Sequence, residues 1–230
     1  MTAIWEGFLK ALELIVTLDP EVLEITGRTL VISIASTIIA GLICLPLGSL
    51  IHFNNFHGKR TLINLIQTFY SVPTVAVGLI VFLIFSRSGP LGFMELLFTP
   101  QVMVVGQIIL ISPIMLGLVI AALSGVDKAA HETAVAIGAS QFQAITMVIR
   151  EARFAIYSAL IMGFGRAISE VGLALMVGGN IRGYTRVMTT AISLETSKGD
   201  IVLSIALGII LISLALIINF SLSRLQQRWR

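Results

Sequence analysis

Arg166 and Glu170 stand four residues apart within an apolar run over residues 154–177, a spacing that places them one above the other on a helix face. Opposite charges so placed admit three kinds of chemistry: an ion pair that fixes helix packing, a lining for the path of a polar solute, or a proton relay. The other long apolar runs add no second acid, which makes a relay poor. Other chemistry is thin. His52, His57 and His131 do not cluster at metal-ligand spacing, and a single Cys44 allows neither an intrachain disulfide nor a thiolate metal site. There is no Gly-x-x-x-x-Gly-Lys-Ser/Thr loop to cradle a nucleotide. No Ser/His/Asp set is readable in the apolar runs, so nothing supports an intramembrane hydrolase. The expectation is a chain that is not an enzyme and binds no cofactor or metal.

The elements that must position this pair are helices in lipid. Of 230 residues 57% are hydrophobic and 12% charged, against about 25% charged in a soluble domain, and the mean hydropathy is +0.99. Residues 29–58, 61–86, 96–126 and 201–223 contain no Asp, Glu, Lys or Arg. Each exceeds the roughly 20 residues that cross a hydrocarbon core as a helix. The run over 154–177 is interrupted only by Arg166 and Glu170. These runs predict an all-α membrane protein with five spans near 28–52, 61–86, 101–125, 153–178 and 201–223. A spanning β-barrel would alternate with period two, and no such alternation is visible. Pro46, Pro73 and Pro113 fall one in each of the first three spans, where each can kink its helix. Gly117, Gly163 and Gly165 suit tight helix packing.

The first twenty residues form a separate segment, with 21–230 as the membrane domain. Ile4, Phe8, Leu12 and Ile15 recur at helical spacing with Glu6, Lys10 and Glu13 between them, and Trp5 suits the interface. Either an interfacial amphipathic helix or a leader packed on the other helices fits, and Pro20 ends it. No short apolar core with a small-residue cleavage site follows, so no removable signal is expected. No regulatory domain is expected after the fifth span.

Orientation follows from Lys and Arg. Eight of them (Lys59, Arg60, Lys128, Arg150, Arg153, Arg224, Arg228, Arg230) fall on the side reached after odd-numbered spans, and six (Lys10, Arg28, Arg87, Arg182, Arg186, Lys198) on the other. With the tail "RLQQRWR" weighing most, the C-terminus is expected in the cytoplasm and the N-terminus outside. The pI of about 9.4 is then a property of loops and does not imply nucleic acid.

That orientation places residues 127–152 in the cytoplasm. The segment is too polar to span. Ala130, Ala134 and Ile137 are expected on one face of a short helix, with Glu132 near its start, where a carboxylate suits the dipole. Gly138 can end it, and a second helix is expected from about Ser140. Small residues at 129, 130, 134 and 136 would let a partner approach closely. The run "ETAVAIGASQFQAITMVI" resembles the permease signature of ATP-binding-cassette importers, Glu-Ala-Ala, three residues, Gly, nine residues, Ile-x-Leu-Pro. Glu132, Ala134 and Gly138 match, Val148 stands for the Ile, Thr133 replaces the middle Ala, and Arg150-Glu151 replace Leu-Pro. The resemblance implies a coupling helix, including Glu132, Thr133, Ala134, Ile137, Gly138 and Ala139, seated on a separate cytoplasmic ATPase subunit that binds the ATP.

Residues 163–200 narrow the resemblance. Gly163-x-x-Arg166-Ala167-x-x-Glu170-x-Gly172, then Gly178-Gly179-Asn180 and a polar external loop, resemble permeases of the molybdate, tungstate and sulfate importer group, most of all the tungstate permeases. This implies a prokaryotic cell-membrane protein, a homodimer enclosing one pathway, and an external binding protein that delivers the oxyanion. The residues themselves point the same way. Asn180, Arg182, Tyr184, Thr185, Arg186, Thr189 and Thr190 would form a basic, hydroxyl-rich outer mouth, with Glu195 and Asp200 as its acids. Such a mouth suits a compact anion, docks the binding protein, or does both.

Overall fold

The computed structural model describes residues 2–228 and contains eleven α-helices and no strand among them. Met1 and Arg230, with the last part of the basic tail, lie outside the described residues. Three helices are long and apolar enough to cross a membrane: α2 (Pro20–Phe53), α5 (Pro100–Ser124) and α11 (Ile201–Arg228). The count rises to five if each of two bent helix pairs makes one crossing.

The core is a parallel pair, α2 and α5, backed by α8 (Arg153–Ile168). Polar side chains stitch the pair in register. Ser36 Oγ donates to the Val104 carbonyl at 3.4 Å, and eight residues on, Cys44 Sγ donates to the Ser112 carbonyl at 3.4 Å. Apolar packing does the rest around Ala40, Ile111, Met115 and Ala167. Helices in lipid gain no hydrophobic drive from meeting each other, so they associate through close packing and such interhelical bonds.

Where the second and fourth spans were expected, the chain forms two bent helix pairs in place of continuous helices. α3 (Lys59–Thr68), a 3-10 turn at Phe69–Ser71, and α4 (Thr74–Phe85) meet at 98°. Pro73 is the cause. It has no N–H to give, and it holds Val72 in extended backbone. Pro46 and Pro113 lie inside helices that continue through them. The turn is seated on α5, where a Cβ at Gly117 would lie 1.4 Å from Tyr70 Oη. Gly163 likewise receives Met115, whereas Gly165 has open space before it.

α8 and α9 (Gly172–Gly178) meet at 61°. No proline is involved. Side chains take over the helical ladder: Ser169 Oγ bonds the Gly165 carbonyl at 2.9 Å, and Gln107 Nε2 bonds the Ala167 carbonyl at 3.2 Å.

α1 (Thr2–Val16) lies along α11. It meets α11 through Gly7, Ala11 and Leu14, so closely that a Cβ at Gly7 would sit 2.5 Å from Ile205 Cγ2. The stripe Ile4, Phe8, Leu12 and Ile15 points away from the protein. The region expected as a polar loop holds α10 (Met188–Lys198), packed on α11 with its first turn, Met188 to Ala191, buried.

Candidate functional site: a capped helix, a helix break and an ion-paired end

α6 (Lys128–Ala136) and α7 (Gln141–Glu151) form the turn at one end of α2 and α5. Local sequence sets both. Asp127 caps α6, its Oδ1 accepting the Ala129 N–H at 2.9 Å. Gly138, at φ +96°, closes it: its N–H reaches the Val135 carbonyl, and that of Ala139 reaches Ala134, each at 3.0 Å. Ser140 and Gln143 then start α7 with a reciprocal capping box.

Glu132 therefore lies beyond the first turn of α6, and the carboxylate at the positive end of the dipole is Asp127. Ala130 and Ala134 share the inward face of α6, and Ile137 parts from them. Ala134 is 9% exposed, turned toward its own chain, and Ile137 is 83% exposed beyond the helix end. Glu132 and Thr133 are exposed, and Ala139 is half-buried. The outward surface is thus Glu132, Thr133, Ile137 and a residue the signature does not mark, Phe142, which is 78% exposed. Its inner side carries His131, whose ring stacks on Phe53 at the end of α2, centroids 5.6 Å apart. His52, one residue earlier, approaches Ser124 of α5 at 3.2 Å.

The helix break holds the charged pair. Arg166 Nη1 donates to Glu170 Oε2 at 2.8 Å. Glu170 Oε1 accepts the Leu173 N–H at 2.9 Å and so caps α9, and the Glu170 carbonyl accepts Thr189 Oγ1 at 2.7 Å. Glu170 is 3% exposed. Both carboxylate oxygens are engaged, which is how a charge is held inside a bundle. Gln107 was not legible as part of this group, because its span offers no local motif. Its Oε1 is buried without a partner.

At the opposite end, Arg182 and Arg186 both pair with Glu21, Arg186 at 3.4 Å, and Arg28 pairs with Glu24 while donating to the Arg186 carbonyl at 3.0 Å. The Glu21 hydrogen bond pushes the Arg182 guanidinium further above its ordinary value. Asn180 donates to the Thr190 carbonyl at 3.3 Å. The basic mouth expected from 180–200 is therefore offset by acids from the start of α2, 161 residues away from Arg182 in sequence.

Residues 29–230 match the model of the binding-protein-dependent transport system inner membrane component family. The chain is similar to the tungstate uptake system permease protein TupB of Peptoclostridium acidaminophilum, 40% identical over 99% of this chain and 100% of that one. The TupB of Campylobacter jejuni is 39% identical over 97% of this chain and 94% of its own. In fold it is similar to a bacterial alginate ABC transporter solved with a substrate-bound periplasmic protein, at TM-score 0.78 and 20% identity, over 99% of this chain and 87% of that one. This protein belongs to the family of inner membrane components of binding-protein-dependent transport systems.

Proposed function

We propose that this chain is the permease subunit of an ATP-driven tungstate importer. The observation that carries the substrate is the end-to-end similarity to permeases of tungstate uptake systems. Two copies would enclose the pathway, a cytoplasmic ATPase subunit would bind ATP and grip α6, and an external binding protein would deliver the oxyanion. This chain itself would bind no cofactor. The N-terminus would lie outside and the C-terminus in the cytoplasm.

The geometry supports mechanical coupling. When the ATPase closes, it displaces α6. The His131–Phe53 stack passes the displacement to α2, and α7 passes it to α8. α8 ends at the Glu170 break, so the segment beyond can swing as α8 tilts. Arg182 and Arg186 are already paired with Glu21, so that end offers no preformed anion cage. This supports a docking role for it, with the oxyanion selected by the binding protein. The engagement of both Glu170 oxygens argues against a proton relay.

The test is reconstitution of the permease with its ATPase and binding protein in liposomes. ATP-dependent tungstate uptake is expected, with a large excess of sulfate competing poorly. Preferential uptake of sulfate or phosphate overturns the reading, and equal uptake of molybdate widens the substrate to both metal oxyanions.

A further inference from the structure

A cleft of about 1000 Å³ opens between α2, α8 and α11, with Met115 and Val119 of α5 at its back. Its wall is almost wholly hydrocarbon. Thr37 lies in it, but its hydroxyl is bonded to the Ser33 carbonyl at 2.7 Å. The polar groups left to a ligand are Arg153 and Tyr157, four apart on the first turns of α8, at one end of the cleft. The Arg153 guanidinium lies 4.7 Å from the Phe154 ring centroid. It is in none of the ion pairs found among the described residues.

We propose that this cleft binds an anionic phospholipid, its acyl chains along α2 and α8 and its phosphate on Arg153 and the Tyr157 hydroxyl. Depth favours a lipid over a helix from a second copy. On α2 the wall runs from residue 34 to 45, and on α8 from 153 to 164. Each stretch rises about 16 Å, at about 1.5 Å per residue, which is half of a ~30 Å hydrocarbon core. One leaflet of a bilayer has this depth. A spanning helix would need a wall through both leaflets. Charge favours an anionic headgroup. Arg153 sits at the α6–α7 end, and the inference rests on the reading of that end as cytoplasmic, where anionic lipids concentrate.

The experiment is native mass spectrometry of the delipidated full-length protein titrated with dioleoyl phosphatidylglycerol or dioleoyl phosphatidylcholine. Wild type should retain phosphatidylglycerol over phosphatidylcholine by about fivefold, as expected for one arginine at an anionic surface, ~1 kcal/mol. Arg153→Ala should erase that preference and Arg153→Lys should keep it. Ile38→Trp, which fills the cleft, should lower retention of both lipids at unchanged melting temperature. The proposal is overturned if Arg153→Ala keeps the preference, if Ile38→Trp leaves both lipids bound, or if a cysteine at residue 38 cross-links to a second copy and no lipid is retained. None of these readouts depends on which oxyanion is carried, so failure of tungstate uptake leaves them interpretable.

Discussion

His131 and Phe53 stack with 29° between their ring planes, and this contact ties the inner side of α6 to the end of the 34-residue α2. Such ring pairs contribute about 0.5–1.5 kcal/mol beyond buried area. That is small for stability and large for a joint that must pass force. The His131 Nε2 atom is buried without a hydrogen-bond partner, so the ring serves here as a flat surface. His131→Ala should leave the permease assembled with its ATPase but raise the ATP hydrolysed per oxyanion taken up. His131→Phe should restore the wild-type ratio. An unchanged ratio in His131→Ala removes the joint from the mechanism.

Gly138 faces open space, so a side chain there costs only backbone strain. At φ +96° a β-branched residue is strained by roughly 1–2 kcal/mol. Gly138→Val should displace the turn into α7 and abolish transport while the protein still inserts and purifies. Gly138→Asn, tolerated in left-handed backbone, should retain most transport. Glu132→Lys should weaken co-purification with the ATPase. Normal transport and normal assembly in Gly138→Val and Glu132→Lys together would refute α6 as the docking helix.

The Arg166–Glu170 pair should behave unequally. Arg166→Ala leaves a carboxylate that is 3% exposed with only the Leu173 N–H as partner, a loss of about 3–5 kcal/mol. The double variant with Glu170→Ala should recover part of the thermal stability lost in Arg166→Ala. A double variant that folds well but does not transport would assign the pair to the pathway. Glu170→Gln still accepts the Leu173 N–H and should transport at every imposed proton gradient.

Topology is checked by labelling. Cys44 is buried, and in a Cys44→Ser background a cysteine at Ser197 should react with an impermeant thiol reagent outside intact cells. A cysteine at Ser140 should react only after the membrane is opened. Both positions are exposed, so the reverse pattern inverts the orientation rather than reflecting burial.

What the sequence by itself determined was set by spacing along one chain. The charge-free intervals located the apolar segments, and Gly138 and Ser140 bounded the turn between α6 and α7, because caps act within one helical turn. The four-residue interval made Arg166 and Glu170 neighbours in space. Only the tertiary structure decided the rest. The pairing of Glu21 with Arg182 and Arg186 joins segments more than 160 residues apart, and no local pattern announces it. At the break before Glu170, Gln107 reaches across from α5 to a carbonyl of α8, 60 residues away in sequence. The packed side of α1 was likewise decided by the fold: Gly7, Ala11 and Leu14 meet α11 and the stripe Ile4, Phe8, Leu12 and Ile15 is left outward. The physical reason is the solvent. In water an apolar stripe marks the packed side, but lipid is as apolar as leucine, so small residues such as Gly7 and Ala11 mark the contact and large ones are left outward.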